Sequence, residues 1–353
     1  MTQSRKAPSI ETIGMTMRFG DFTALDNVSM KVRSGSFHAL LGENGAGKST
    51  LVKCMMGFYA ATDGQVAVNG KEVAIRDPRD AHDLGLGMVY QHFTLVPSLT
   101  AAENLVIARI DTPAMIDWRR EMKSLEAFMQ TMPFIVPLDR RVESLAAGEK
   151  QKLEILKQLY LGHRFLILDE PTSVLTPLEA DEVLGHVSAL TKAGELSVLM
   201  ITHKFREVRA FADEVTVLRR GKLAGKGPVS DLTNEDMAAM MMGRSEIGTP
   251  APRHGEAGEP VLAIENATAL DRSGYKDIHI DGLTVRAGEI VGIAGISGNG
   301  QVELMEMLTG QRSLKQGRIT VRGRPIAPGA TRPGATRCAT CRKSLWSMPA
   351  RRI

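Results

Sequence analysis

An α/β fold built on a buried parallel sheet, followed by a partial second copy of itself, is what the sequence predicts. Three observations carry the prediction. Short apolar runs at Phe37–Leu41, Phe165–Leu168 and Val198–Ile201 are separated by amphipathic stretches, as expected for strands covered by helices on both faces. The first run feeds a glycine-rich loop that opens a helix. Glycines at 35, 42, 45, 47, 57, 64 and 70 recur at 288, 295, 298, 300, 310, 317 and 323, a constant offset of 253.

The elements follow in order. The first copy runs from Ile10 to Gly243. Its first buried strand is followed by a helix from Lys48 to about Met56, and Thr100 to Tyr160 reads as mostly helical, an inserted subdomain between strands. Polar residues with Gly and Pro make 244–260 a linker. The second copy occupies 261–327. Beyond it, 328–353 has neither helical nor strand periodicity and reads as a disordered tail.

Composition narrows the function classes. The 353 residues are 43% hydrophobic and 24% charged, ordinary for a soluble globular chain. A net charge of +4 does not demand a polyanion, and no nucleic-acid partner is expected. Three cysteines make no disulfide framework, and no run of eighteen apolar residues spans a membrane. The polar first nine residues lack the apolar core of a secretory signal, so a cytoplasmic protein is expected.

Two motifs carry chemistry. Gly42-Glu-Asn-Gly-Ala-Gly47-Lys48-Ser49 fits G-x-x-x-x-G-K-[ST] between a strand and a helix. Glycines let backbone N–H groups curl round phosphate oxygens, and the helix N-terminus adds its dipole. Lys48 is then expected to reach the β- and γ-phosphates of ATP, and the Ser49 hydroxyl to ligate Mg²⁺. Phe165-Leu-Ile-Leu-Asp169-Glu170 places paired carboxylates at the carboxyl edge of the sheet, where ligands bind in such folds. Asp169 is expected to hold Mg²⁺ and Glu170 to polarise the attacking water.

With these in place, the order phosphate loop, Gln91, "SLAAGEKQ", "LILDEPTSVLT", His203 resembles ABC-type ATPases over the whole first copy. The resemblance implies a P-loop NTPase of ABC type, a mixed sheet core with a helical subdomain. It also implies roles. Gln91 senses Mg²⁺ and contacts membrane subunits, and His203 bonds the γ-phosphate. Asn44, Gly45, Gly47 and Thr50 join Gly42, Lys48 and Ser49 round the nucleotide. Phe19 is the candidate platform for adenine, with Phe22 as the competitor. "LLGENGAGKST", "VYQHFTLVPSLTAAEN" and "LDEPTSVLTPLEA" are similar to the tandem ATPases of bacterial nucleoside importers, and more loosely to monosaccharide ones. That branch implies transmembrane permease subunits, a substrate-binding protein and a place on the cytoplasmic face of the inner membrane. In such proteins two ATPase domains pair head to tail, and Gly148 of the signature loop meets the nucleotide of the opposite domain.

The pattern is broken in places. The signature reads Leu145-Ala146-Ala147-Gly148-Glu149 where the family has Leu-Ser-Gly-Gly-Gln. Ala146 lacks the hydroxyl for the γ-phosphate, and Glu149 sets a negative charge near a polyanion. The second loop keeps its glycines but has Gln301 and Val302 in place of Lys48 and Ser49. In a pair made from the two copies these defects would face each other, leaving one degraded and one competent site. The competent site also needs the signature of the second copy, which this sequence lacks, so slow hydrolysis is expected. A weakly active or non-catalytic fragment and a soluble non-transport ATPase stay open beside the transport reading. The tail can be read as a frameshifted continuation of the second copy, and its Cys338 and Cys341 alternatively as a half zinc site or redox pair.

Overall fold

The computed structural model describes residues 7–109, 111–113, 115–243, 257–271, 274–295 and 299–325. The chain divides after residue 248 into two compact units. Most of 244–260, residues 326–327 and the whole tail, with Cys338 and Cys341, lie outside the described residues.

The first unit begins with β1 (Ile10–Phe19), β2 (Phe22–Val32) and β3 (Phe37–Leu41), then α1 (Lys48–Met55), β4 (Asp63–Val68) and β5 (Lys71–Val73). Next come α2 (Pro78–Asp83), β6 (Leu86–Val89), α3 (Ala101–Ile107), α4 (Trp118–Gln130) and α5 (Ala147–Tyr160). It continues with β7 (Phe165–Asp169), α6 (Pro177–Lys192), β8 (Ser197–Ile201) and α7 (Phe205–Phe211). β9 (Glu214–Arg219), β10 (Lys222–Pro228) and α8 (Asn234–Met242) complete it. The second unit holds β11 (Pro260–Leu270), β12 (Asp277–Arg286), α9 (Gln301–Leu308), β13 (Gln316–Val321) and β14 (Arg324–Pro325).

The main sheet of the first unit has strand order β10-β9-β3-β8-β7-β6. Five strands run parallel and β10 closes one edge antiparallel to β9. Alternation sends Leu166, Leu168, Val198 and Met200 to one face, against α3, α5 and α6. Phe165, Ile167, Leu199 and Ile201 go to the other, against α1 and the strands beyond it. Burial of each such side chain contributes about 1.5–3 kcal/mol. The covering layer on that second face includes an antiparallel sheet, β2-β1-β4-β5, which the apolar runs do not announce. Register shifts between Thr12 and Met15 and between Met15 and Met17 break the alternation that would have marked β1.

α3, α4 and α5 lie between β6 and β7, so the mostly helical reading of Thr100–Tyr160 holds. Thr100 starts α3 with a capping box: its hydroxyl accepts from Glu103 N, and the Glu103 carboxylate accepts from Thr100 N at 2.7 Å.

In the second unit α9 packs on a sheet of order β12-β11-β13-β14 through Leu304 and Met307. The sequence repeat carries over to the backbone. α1 and α9 differ by the offset of 253 at both ends, Lys48 to Gln301 and Met55 to Leu308. Gly47 has φ 101° and Gly300 φ 91°; Gly64 has φ 90° and Gly317 φ 81°. One element does not carry over. Residues 290–294, the counterpart of β3, form no strand, and Ile290 is 71% exposed where Phe37 is fully buried. In the first unit β3 is flanked by β8 and β9, and the described residues of the second unit hold no counterpart of either. Without flanking strands, the N–H and C=O groups of 290–294 have no ladder to join. No helix among the described residues is long and apolar enough to cross a membrane.

Candidate functional site

The site is built at the carboxyl end of β3. All five residues of that strand are buried, and it delivers the chain directly into the glycine loop. Gly42 and Gly47 are required by close approach. A Cβ on Gly42 would lie 2.5 Å from Leu218 O, and one on Gly47 2.9 Å from Ala24 O. Gly45 and Gly47 also take φ 81° and 101°, the left-handed region. Gly221, in the turn between β9 and β10, braces the loop by donating its N–H to Ala46 O at 3.0 Å. That brace went unread in the sequence, where only the turn signal "RRGK" marks it.

Lys48 is the first residue of α1 and is 8% exposed. Its Nζ donates to Gly42 O at 2.7 Å and Glu43 O at 3.0 Å. Burial pulls its pKa down, and the charges of Glu170 and Asp169 oppose that. Asp169, the last residue of β7, is shifted the other way. Burial and then Glu170 raise its pKa, against Lys48 and Lys53.

Glu170 has a left-handed backbone with φ 46°, uncommon for a residue with a Cβ. Its N–H donates to Ile201 O at 2.9 Å, which ties the end of β7 to β8. His203 Nδ1 lies 3.1 Å from Glu170 Oε1, and Gln91 Nε2 donates to Oε2 at a long 3.4 Å. The carboxylate is thus held from two loops, those after β8 and β6.

These groups converge on one cavity of about 290 Å³. Asn44, Gly45, Gly47, Lys48, Ser49, Thr50, Gln91, Asp169 and Glu170 line it, all named from the sequence. Ala24 and Ile201 join them without having been foreseen. His203 reaches the cavity group Glu170 but is not itself in the lining. The two aromatic candidates pair across the β1–β2 turn, Phe19 with Phe22. Phe22 lines the cavity, whereas Phe19 packs edge-on against Tyr59 at 5.4 Å. Gly148 is not part of the cavity: it lies in the first turn of α5, against the Glu179 side chain. Next to it, Glu149 accepts from Ala146 N at 2.8 Å. In the second loop, Gly295, Gly300, Gln301 and Val302 are described, while 296–298 are not.

A phosphate-type loop, paired carboxylates at the sheet edge and an inserted helical segment define a class of P-loop ATPase domain. The model of the ABC transporter family matches residues 25–173 and 278–350, well over half the chain, and the chain belongs to that family. It is 40% identical over 356 residues to a glucose import ATP-binding protein of Haloferax volcanii, covering 93% of this chain and 64% of that protein. It is 40% identical over 318 residues to a nucleoside import ATP-binding protein of Lactococcus lactis, covering 90% and 63%. The chain thus spans less than two thirds of the length of these curated relatives. Among solved structures, CbiO1 of Clostridium perfringens, part of an ABC transporter complex, matches with TM-score 0.57 at 22% identity, covering 65% of this chain and 92% of that one. That likeness shows the fold.

Proposed function

We propose that the first unit binds MgATP in the cavity at the end of β3 and hydrolyses it, energising an importer of nucleosides or sugars. The observation that carries this reading is the convergence of Lys48, Ser49, Asp169 and Glu170, from distant parts of the chain, on one cavity. Loop N–H groups and the N-terminus of α1 suit the triphosphate, and Lys48 adds the full positive charge. Phe22, which lines the cavity, offers aromatic surface for the adenine, with Phe19 beside it across the turn.

The residues present also fit Mg²⁺. A hydroxyl (Ser49), a carboxylate (Asp169) and an amide oxygen (Gln91) share the cavity, a hard-oxygen set suited to a cation that keeps several waters. Burial already strains the charged form of Asp169, and a nearby cation relieves that. Bound there, the ion supplies neutralisation of phosphate charge. Glu170 takes up hydrogen bonding to the attacking water, oriented by His203 and Gln91.

Cargo and partners follow the relatives. Proteins named for glucose and nucleoside import support a permease and a substrate-binding protein as partners, with this chain peripheral on the cytoplasmic face. A second reading, a weakly active nucleotide-binding fragment, is favoured by Gln301 and Val302 in the second loop and by Ala146 and Glu149 in the signature. Both readings expect one MgATP per chain. Calorimetric titration of the full chain with MgATP tests this. Lys48→Ala is expected to weaken binding by about a hundredfold or more. Unchanged affinity overturns the proposal.

A further inference from the structure

Outside the cavity, one buried carboxylate joins two of the loops that serve it. Glu207, on α7, is 1% exposed. Its Oε1 accepts from Thr172 Oγ1 at 2.7 Å and faces Lys204 Nζ at 3.3 Å. Its Oε2 accepts from Thr202 Oγ1 at 3.3 Å. Lys204 Nζ closes the network by donating to Thr172 O and Thr172 Oγ1, both at 2.9 Å. Thr172 and Thr202 are themselves buried, at 1% and 2% exposure.

Each threonine neighbours a group of the candidate site. Thr172 is two residues beyond Glu170, and Thr202 immediately precedes His203. Those two side chains meet at 3.1 Å. The adjacent residue of α7, Arg206, grips Asp181 of α6 at 2.8 Å and 2.9 Å. One short helix therefore bonds both the loop after β7, at Thr172, and α6, at Asp181. A buried carboxylate costs several kcal/mol of desolvation, and an apolar side chain could fill the same volume without it. What the apolar substitute lacks is directional bonding to both loops at once.

We propose that Glu207 is a positioning residue that sets the contact between His203 and Glu170. It does so by fixing Thr172 and Thr202 to each other, so the loop after β7 and the loop after β8 move as one body. The proposal rests on the ATPase reading above for its consequence in turnover. Its geometric content, that His203 loses its place when Glu207 is changed, does not depend on that reading.

The test uses the full chain with Glu207→Ala, Glu207→Gln, His203→Ala and the double variant Glu207→Ala/His203→Ala. Fluorescent MgATP titration is expected to give affinities within about threefold of the parent for both Glu207 variants, since neither touches the loop at 42–49. If the parent itself fails to bind, the ATPase reading falls and this proposal is judged on the next measurement alone. In chains labelled at histidine, the ring resonances of His203, assigned by their loss in His203→Ala, are expected to shift in Glu207→Ala and less in Glu207→Gln. Single-turnover hydrolysis is expected to fall at least about tenfold on Glu207→Ala in the parent. In the His203→Ala background the same change should cost less than about twofold. Unmoved His203 resonances, or equal losses in the two backgrounds, overturn the proposal. If Glu207→Ala does not fold, Glu207→Gln, of the same shape, carries the same readings.

Discussion

Glu170 meets two opposed demands at a single position. Its φ of 46° is a conformation that costs a residue with a Cβ about 1 kcal/mol or more, yet a carboxylate has to stand there to face the cavity. The backbone bond to Ile201 O and the side-chain bonds to His203 and Gln91 hold it in place. Glu170→Gln keeps the shape and removes the carboxylate proposed to polarise the attacking water. MgATP affinity is expected to stay within a few-fold while turnover drops by about 10²–10⁴, read by comparing titration with hydrolysis under saturating nucleotide. A second residue-scale prediction concerns His163, 3% exposed, whose Nε2 has no hydrogen-bond partner among the described residues. Burial, and then His82 at a ring separation of 4.2 Å, push its pKa down to about 4. The folded value lies below the unfolded one, so the unfolded chain binds the proton more tightly. Stability is therefore full above about pH 6.5 and falls as pH drops towards 4, by up to about 3 kcal/mol. Urea midpoints measured across that range should flatten in His163→Gln; an unchanged slope would assign the acid loss to other groups.

Helix α5 shows how an element serves the site from a distance. Its Glu154, 1% exposed, accepts from the backbone N–H and hydroxyl of Thr94, and Lys157 Nζ lies 2.8 Å from the same carboxylate. Lys157 Nζ also donates to Thr94 Oγ1 at 2.6 Å, so three residues after Gln91 the loop is clamped to α5. Glu154→Ala leaves Lys157 buried and unpaired, and is expected to cost about 3–5 kcal/mol in chemical denaturation. Glu154→Leu with Lys157→Met should recover most of that loss, because the lone charge goes with its partner. Near-parental stability of Glu154→Ala would show the pair to be solvated. The clamp also marks what sequence reading reaches. β3, β7 and β8 are legible because each is mostly apolar along its length, and the loop at 42–49 because its residues are contiguous. Glu154 and Thr94 are 60 positions apart, and nothing local in either distinguishes a clamp from a solvated face. β1 is hidden for a different reason, since its bulges destroy the two-residue period. Gly148 lies apart from the cavity, and its implied partner is the nucleotide of an opposite domain.

For the whole molecule, that separation sets the expected behaviour. If the cavity of one such domain is completed by the signature of another, turnover depends on two domains meeting, and where the opposite domain is a second first unit the quality of Leu145–Glu149 limits the rate. Ala146 has no side-chain oxygen to cap α5, so the bond from Ala146 N to Glu149 is unreciprocated. Glu149 also brings a carboxylate to the face that would meet a triphosphate, with Arg140 at 4.0 Å. Ala146→Ser adds both a cap and a hydroxyl, and Glu149→Gln removes the charge while keeping an acceptor for Ala146 N. The cap alone should raise stability by about 1 kcal/mol, seen as a higher melting temperature without nucleotide. The pair of changes should raise ATP turnover by several-fold, with a rate per chain that climbs with chain concentration. A higher melting temperature with turnover flat in concentration would leave the signature loop a structural cap and remove the opposite-domain role from this chain.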